Sequence, residues 1–160
     1  MVLFFGVFAP PVTGQSIAMK YAYNSYRGEK KIIKILNENK YFLGKFLNNL
    51  FIVFFKIPFF ILYYKPQVVY ISLSLNTFSS SRDIILILFA KLFKIKVIEH
   101  LQGYTFKSFV CRYPFLHNFY AYVYGKIDVF VFNFPPKTLD KDIFQRSAFA
   151  VYTYRNIFIL

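Results

Sequence analysis

The residues best suited to chemistry fall into three short stretches. Glu99-His100-Leu101-Gln102-Gly103 places a carboxylate, an imidazole and an amide at the end of an apolar run. Neighbours in an extended strand point to opposite faces, so His100 and Gln102 share one face and Glu99 takes the other. A histidine there suits a proton shuttle or a phosphate contact, and equally a satisfied structural role. Pro10-Pro11-Val12-Thr13-Gly14-Gln15-Ser16 is a small glycine-containing loop that feeds a helical pattern. The free N–H groups and positive dipole end of a helix start favour an anion such as a phosphate. The spacing is neither that of a dinucleotide fingerprint nor that of a P-loop, and Gly14 serves equally well as turn punctuation. Ser72-Leu73-Ser74-Leu75-Asn76-Thr77 offers hydroxyls and the Asn76 amide, which suit a polyol but suit helix capping better. His117 lies among aromatic residues and reads as structural. No carboxylate pair at plausible spacing, no metal-ligand cluster and no Ser/His/Asp pattern is present.

The elements that would position these residues follow from hydrophobic patterning. Residues 2–9 are a continuous apolar run, as in a strand buried on both faces, and Pro10-Pro11 ends it. Ser16 is expected to cap a helix that runs to Arg27 and is closed by Gly28. A second strand is expected over Lys30 to Leu36, and Asn37 to Lys40 reads as a turn. Residues 43–64 form a strongly apolar helix, Val68 to Ser72 a third strand, and Ser72 to Ser81 a polar loop. The pattern then predicts a helix over Arg82 to Phe93, with Asp83 in its first turn where the dipole favours it. A fourth strand covers Lys96 to Leu101, a helix Phe106 to Gly125 with a break at Pro114, and a fifth strand Ile127 to Phe132. Asp128 opens that strand, at the wrong end of the sheet for catalysis. A short helix over Thr138 to Gln145 and a sixth strand over Ala150 to Tyr154 complete the pattern. Alternating strands and helices imply an α/β fold. It is read as one Rossmann-like domain over residues 1–160, with a parallel sheet and helices on both faces. Ligands in such sheets bind beyond the carboxyl ends of the strands, where all three stretches fall.

Composition narrows the classes. Hydrophobic residues make up 57% of the 160 and charged residues 17%, which excludes a disordered chain. The net charge of +13 admits nucleic acid, an anionic membrane surface or phosphorylated ligands as partners, although abundant Phe, Tyr, Ile, Asn and Lys also share AT-rich codons. The basic residues are dispersed and no nucleic-acid module is visible, so no specific nucleic-acid partner is expected. A lone cysteine, Cys111, allows no intrachain disulfide or zinc site and fits a reducing compartment. The N-terminus lacks the basic start of a secretory signal, which points to the cytoplasm. Residues 46–64 approach the ~20 apolar residues that span a bilayer. Asn48, Asn49, Lys56 and Pro58 oppose spanning, and a crossover helix on the sheet with a membrane-touching edge is expected instead. Lysines 30, 31, 34, 40, 45, 56 and 65 cluster in this half, near aromatics, as an anionic headgroup surface would require.

Three stretches together resemble the family 4 glycosyltransferases. Residues Val2 to Ser16 look like the opening strand and loop of that family, Lys65 to Ser72 like its third strand, and Val97 to Gly103 like its fourth. Tyr154-Arg155-Asn156-Ile157 sits where the family crosses into a second domain. The resemblance implies the N-terminal, acceptor-side half of a GT-B fold, with the C-terminal donor-binding domain absent here. It implies transfer of a sugar from a nucleotide-sugar donor to a lipid-linked or polysaccharide acceptor, with no tightly bound cofactor. A separate donor-binding chain would then be a partner. The apolar segment and lysine cluster, independently, place the chain in the cytoplasm, peripheral at the inner face of the cytoplasmic membrane. The resemblance also implies that Gly14, Gln15 and Ser16 approach the donor phosphates and the acceptor, and that His100, Gln102 and Gly103 face the acceptor. Gln102 stands where the family commonly has a histidine; it can hydrogen-bond a sugar but cannot take a proton. A different class, a non-catalytic membrane-peripheral binding protein, remains the alternative.

Overall fold

The computed structural model describes residues 1–8, 12–35, 42–73, 77–101 and 114–132. The order is β1 (Val2–Val7), α1 (Gly14–Ser25), β2 (Lys30–Ile35), α2 (Phe42–Phe51), a π-helical turn (Ile52–Lys56), α3 (Ile57–Tyr64), β3 (Val68–Ser72), α4 (Thr77–Leu92), β4 (Lys96–Leu101), α5 (Pro114–Tyr124) and β5 (Val129–Phe132). The five strands form one parallel sheet in the order β2-β1-β3-β4-β5. This is the expected α/β, Rossmann-like architecture. The strands are short runs of apolar, mostly β-branched or aromatic residues, the composition of a sheet buried on both faces.

The topology decides which helix lies where. The chain leaves β1 to one side for β2 and returns past it to β3 on the other side, so the sense of travel reverses at β1. Right-handed crossovers then place α1 on one face and the later helices on the opposite face. The side chains agree. Met19 of α1 packs with Phe4 and Tyr70 on the first face. On the second, Ile52, Ile57 and Ile61, Ile84 and Ile87 of α4, and Val123 of α5 join Leu3, Phe5, Ile71 and Val97. The switch point, where ligands settle in this class of sheet, lies between β1 and β3.

Several boundaries differ from expectation. The cap of α1 is Thr13, not Ser16: the Thr13 side chain accepts from the Ser16 amide, and Ser16, at the third helical position, bonds back in a capping box. A hydroxyl three residues before another satisfies two orphan amides at once, which makes the earlier start preferable. Gly28 does not close the helix. α1 ends at Ser25, and Tyr26 follows in extended backbone with its N–H still bonded to the Ala22 carbonyl. The left-handed helix exits are instead made by two lysines, Lys65 (φ 45°) after α3 and Lys94 (φ 57°) after α4. The stretch read as a loop through Ser81 is helical from Thr77, so Asp83 sits in the second turn of α4 and is buried rather than set on the dipole. Serine disfavours helices only weakly, and burial of Ser80 against its surroundings outweighs that preference. The last apolar helix begins at Pro114, where proline fits a first turn. β5 is shorter than expected and begins at Val129. Asp128, just before it, accepts from the Val97 amide at 2.6 Å and pairs with Lys91, tying β4, β5 and α4 at the amino edge of the sheet. The expected turn at Asn37 to Lys40, the helix over Thr138 to Gln145, the sixth strand over Ala150 to Tyr154, and Cys111 lie outside the described residues.

The apolar segment between β2 and β3 is one rod, wound as α2, the π turn and α3. The Ile57 amide bonds to the Ile52 carbonyl, five residues back, immediately before Pro58, which has no amide hydrogen to offer. Ile52 and Ile57 therefore both face the sheet and are fully buried. In uninterrupted α-helix the residue one turn beyond Ile52 would be Lys56.

Candidate functional site at the switch point

The first turn of α1 meets the carboxyl ends of β1 and β3. The Gln15 side chain donates from Nε2 to the Leu73 carbonyl at 2.9 Å, pinning the helix start to the end of β3. Gly14 is exposed and Gln15 half-buried. The Ser16 hydroxyl is fully buried, accepts from the Thr13 amide at 2.8 Å and donates to the Thr13 carbonyl at 3.0 Å. Its place is in the cap. The box takes up the Ser16 amide; those of Gly14 and Gln15 belong to the first turn, which an α-helix does not satisfy internally. With the dipole behind them they present a partial positive charge to whatever enters.

Gly6 leaves room for the end of the Met19 side chain against β1. A Cβ there would stand 2.5 Å from the Met19 methyl and 3.4 Å from the Ser72 Cβ. Ser72 lies beside His100 in the β3–β4 register, on the face that α1 covers. Its hydroxyl is buried and has no hydrogen-bond partner among the described residues. An orphaned buried hydroxyl costs stability of about 1–3 kcal/mol, which is repaid when a ligand or water bonds it.

His100 is 2% exposed. Its Nδ1 lies 2.8 Å from the Tyr70 hydroxyl, and the two rings meet edge to face. If the phenol donates to Nδ1, the neutral imidazole carries its proton on Nε2. Tyr70 was not singled out from sequence, yet the parity argument that joins His100 to Gln102 also joins Tyr70 to Ser72 (alternate residues of β3). What the sequence lacked was the register that lays β3 against β4. Of the seven predicted site residues, Gly14, Gln15 and Ser16 come together at the α1 start, and His100 lies on the same face of the sheet. Asn76, Gln102 and Gly103 lie outside the described residues, and nothing is drawn from the His117 side chain.

A second polar group sits on the opposite face. Glu99 is fully buried between β3 and β5, beneath α4 and α5. Burial, reinforced by the Asp83 charge, pushes its carboxyl well above the usual range, so it is held as the neutral acid. Asp83 accepts two hydrogen bonds from Arg82, at 3.0 and 2.9 Å, and Arg82 also donates to Asn49 of α2 at 3.1 Å. The guanidinium stands over the Phe5 ring. Burial, with Glu99 and Asp83 nearby, also raises the Tyr124 phenol. Neither Glu99 oxygen has a partner among the described residues. Among those residues no three His, Cys, Asp or Glu side chains gather as a metal ion would require. No protein-family model, no characterised protein and no solved structure matches this chain.

Proposed function

We propose that the chain is the acceptor-side half of a nucleotide-sugar-dependent glycosyltransferase of the GT-B kind, similar to family 4, which passes a sugar to a lipid-linked or polysaccharide acceptor. One observation carries the reading: the N-terminus of α1 is clamped by Gln15 at the β1/β3 switch point, with the Ser72 hydroxyl, which has no partner among the described residues, and the Tyr70–His100 pair on the same side of the sheet. In this reading the amides of Gly14 and Gln15 bind phosphate oxygens, and buried hydroxyls orient sugar hydroxyls. The sugar nucleotide itself is held by a second domain, on the same or another chain. On the same reading Gln102 and Gly103, which follow β4 in the sequence, contribute acceptor contacts.

Titration with short-chain lipid-phosphate-linked saccharides, followed by calorimetry, tests this. Saturable binding is expected, weakened at least tenfold by Gly14→Val while far-UV circular dichroism stays unchanged. Absence of saturable binding, or binding indifferent to both Gly14→Val and Gln15→Ala, would sink the proposal.

A further inference from the structure

The helix layer has an outer surface that a water-facing layer does not have. Along the rod of α2, the π turn and α3, Leu47, Phe51, Phe55, Phe59 and Tyr63 recur at every fourth residue, with Phe54 beside them, and all six are half exposed or more. Phe51 stacks on Phe55 and Phe59 on Tyr63, so the rings form one paved stripe. The surface continues across the layer with Leu92 at the end of α4 and with Phe115 and Tyr122 of α5, exposed by 73, 79 and 60%. Soluble proteins rarely leave contiguous apolar patches beyond a few hundred Å² uncovered. Only 17% of the most apolar stretch of the rod is buried, whereas the core helix of a soluble fold is buried for most of its length.

Charge says what covers this surface. Residues 42–64, 84–98 and 114–127 contain no Asp or Glu at all. Among the described residues, Asp83 and Glu99 are buried beneath the layer and Asp128 is paired with Lys91. Lysines fringe the aromatics: Lys56 lies over the Phe51 ring, Lys31 over Tyr64 and Lys126 over Tyr122, at 5.6, 4.9 and 4.3 Å from the centroids. A second copy docking by the same face would set like charges against each other. An anionic lipid surface satisfies both features, since rings enter the acyl boundary while long lysine stems reach the headgroups. The rod is long enough to cross a bilayer, at 19 residues from Phe46 to Tyr64. Its inner face is committed elsewhere, however: Ile52, Ile57 and Ile61 are sealed against the sheet and Asn49 holds the buried Arg82.

We infer that the outer face of the α2–α3 rod, continued by α4 and α5, docks flat on an anionic membrane surface without spanning it. The inference stands apart from the sugar-transfer reading, because it concerns the opposite face of the sheet and needs no catalysis. The test is flotation of the full chain with vesicles of phosphatidylcholine alone and of phosphatidylcholine with one-third phosphatidylglycerol. Binding is expected at least tenfold stronger to the anionic vesicles, weakened by salt, and released by carbonate at high pH. The variant Phe54→Ser/Phe55→Ser/Phe59→Ser, which alters only exposed positions, should lose at least tenfold in partitioning with its circular dichroism unchanged. The chain has no tryptophan, so single insertions report depth. Phe55→Trp should shift to the blue and be quenched by brominated lipid, while Tyr21→Trp, on the exposed side of α1, should do neither. Equal flotation with neutral vesicles, an unaffected triple variant, equal quenching at both positions, or resistance to carbonate would overturn the inference. So would a stable dimer that excludes vesicles.

Discussion

Replacing Glu99 with glutamine tests the buried carboxyl quantitatively. The side chain is fully buried, and its pKa is raised first by burial and then by Asp83. In the unfolded chain it ionises near its ordinary value of about 4.3, whereas in the folded chain it keeps its proton. Between those two pKa values the folded state binds more protons, so stability falls as pH rises. The stability that protonation preserves is fully present below the unfolded value and is lost as pH climbs toward the folded one. The slope for one group is about 1.4 kcal/mol per pH unit. Glu99→Gln keeps the shape and neutrality of the acid but cannot ionise in either state. From pH 5 to pH 6 the variant should therefore gain on the wild type, by up to about 1.4 kcal/mol, a large share of a typical total of about 5–15 kcal/mol. Urea unfolding followed by far-UV circular dichroism at pH 5, 5.5 and 6 measures the gap, and the subtraction cancels every other titrating group. A gap that stays constant over this range would refute the assignment of Glu99 as a buried neutral acid.

Four further outcomes follow from particular contacts. Thr13→Ala removes the acceptor for the Ser16 amide at 3.1 Å and should cost about 1 kcal/mol in urea unfolding, while Thr13→Ser should cost little. Arg82→Ala leaves Asp83 buried without its ion pair and should cost about 3–5 kcal/mol, whereas Arg82→Met/Asp83→Leu should recover most of that loss, as read by thermal melting. Gly6→Ala pushes against the Met19 methyl, the flexible end of that side chain, and should cost only about 1 kcal/mol; combined with Met19→Ala, the double variant should lose less than the sum of the single losses, measured as a double-mutant cycle. Lys94→Gly relieves a left-handed backbone at φ 57° and should raise stability by about 0.5–1 kcal/mol in the same unfolding assay, where a decrease would show that the lysine stem contributes more than the strain removes.

The architecture was legible because its strands are short apolar runs set off by turns. Val68 to Ser72 and Lys96 to Leu101 appear in the structure with those same ends. The start of α4 was not legible, because serines at 79–81 are read locally as loop and only packing of the layer makes them helical. The cap of α1 was displaced for a related reason: Thr13 and Ser16 are both good caps, and their reciprocity shows only once the backbone closes. For the candidate site, parity along one strand placed His100 and set Glu99 on the other face. It could not supply Tyr70, which depends on the offset between two strands 30 residues apart in sequence. Nor could it assemble Glu99 with Asp83 and Tyr124, because three separate elements converge there. Composition announced an excess of apolar residues, and only the crossover sense showed that the excess lies on one side of the molecule.

The π turn works as a phase corrector. A 23-residue rod must cross from β2 to β3 while keeping isoleucines inward and rings outward, and an α-helix alone would drift out of step midway. One extra residue between Ile52 and Ile57 resets the count. The rod consequently behaves as two segments joined by a vernier, with the residue number between Ile52 and Ile57 fixed rather than free. Shortening the turn by one would rotate everything beyond it by about 100°, the angle of one helical residue. The paved stripe would then turn toward the sheet on one half of the rod only. Length variation within the rod itself is thus closed, because it would break the match between the two faces.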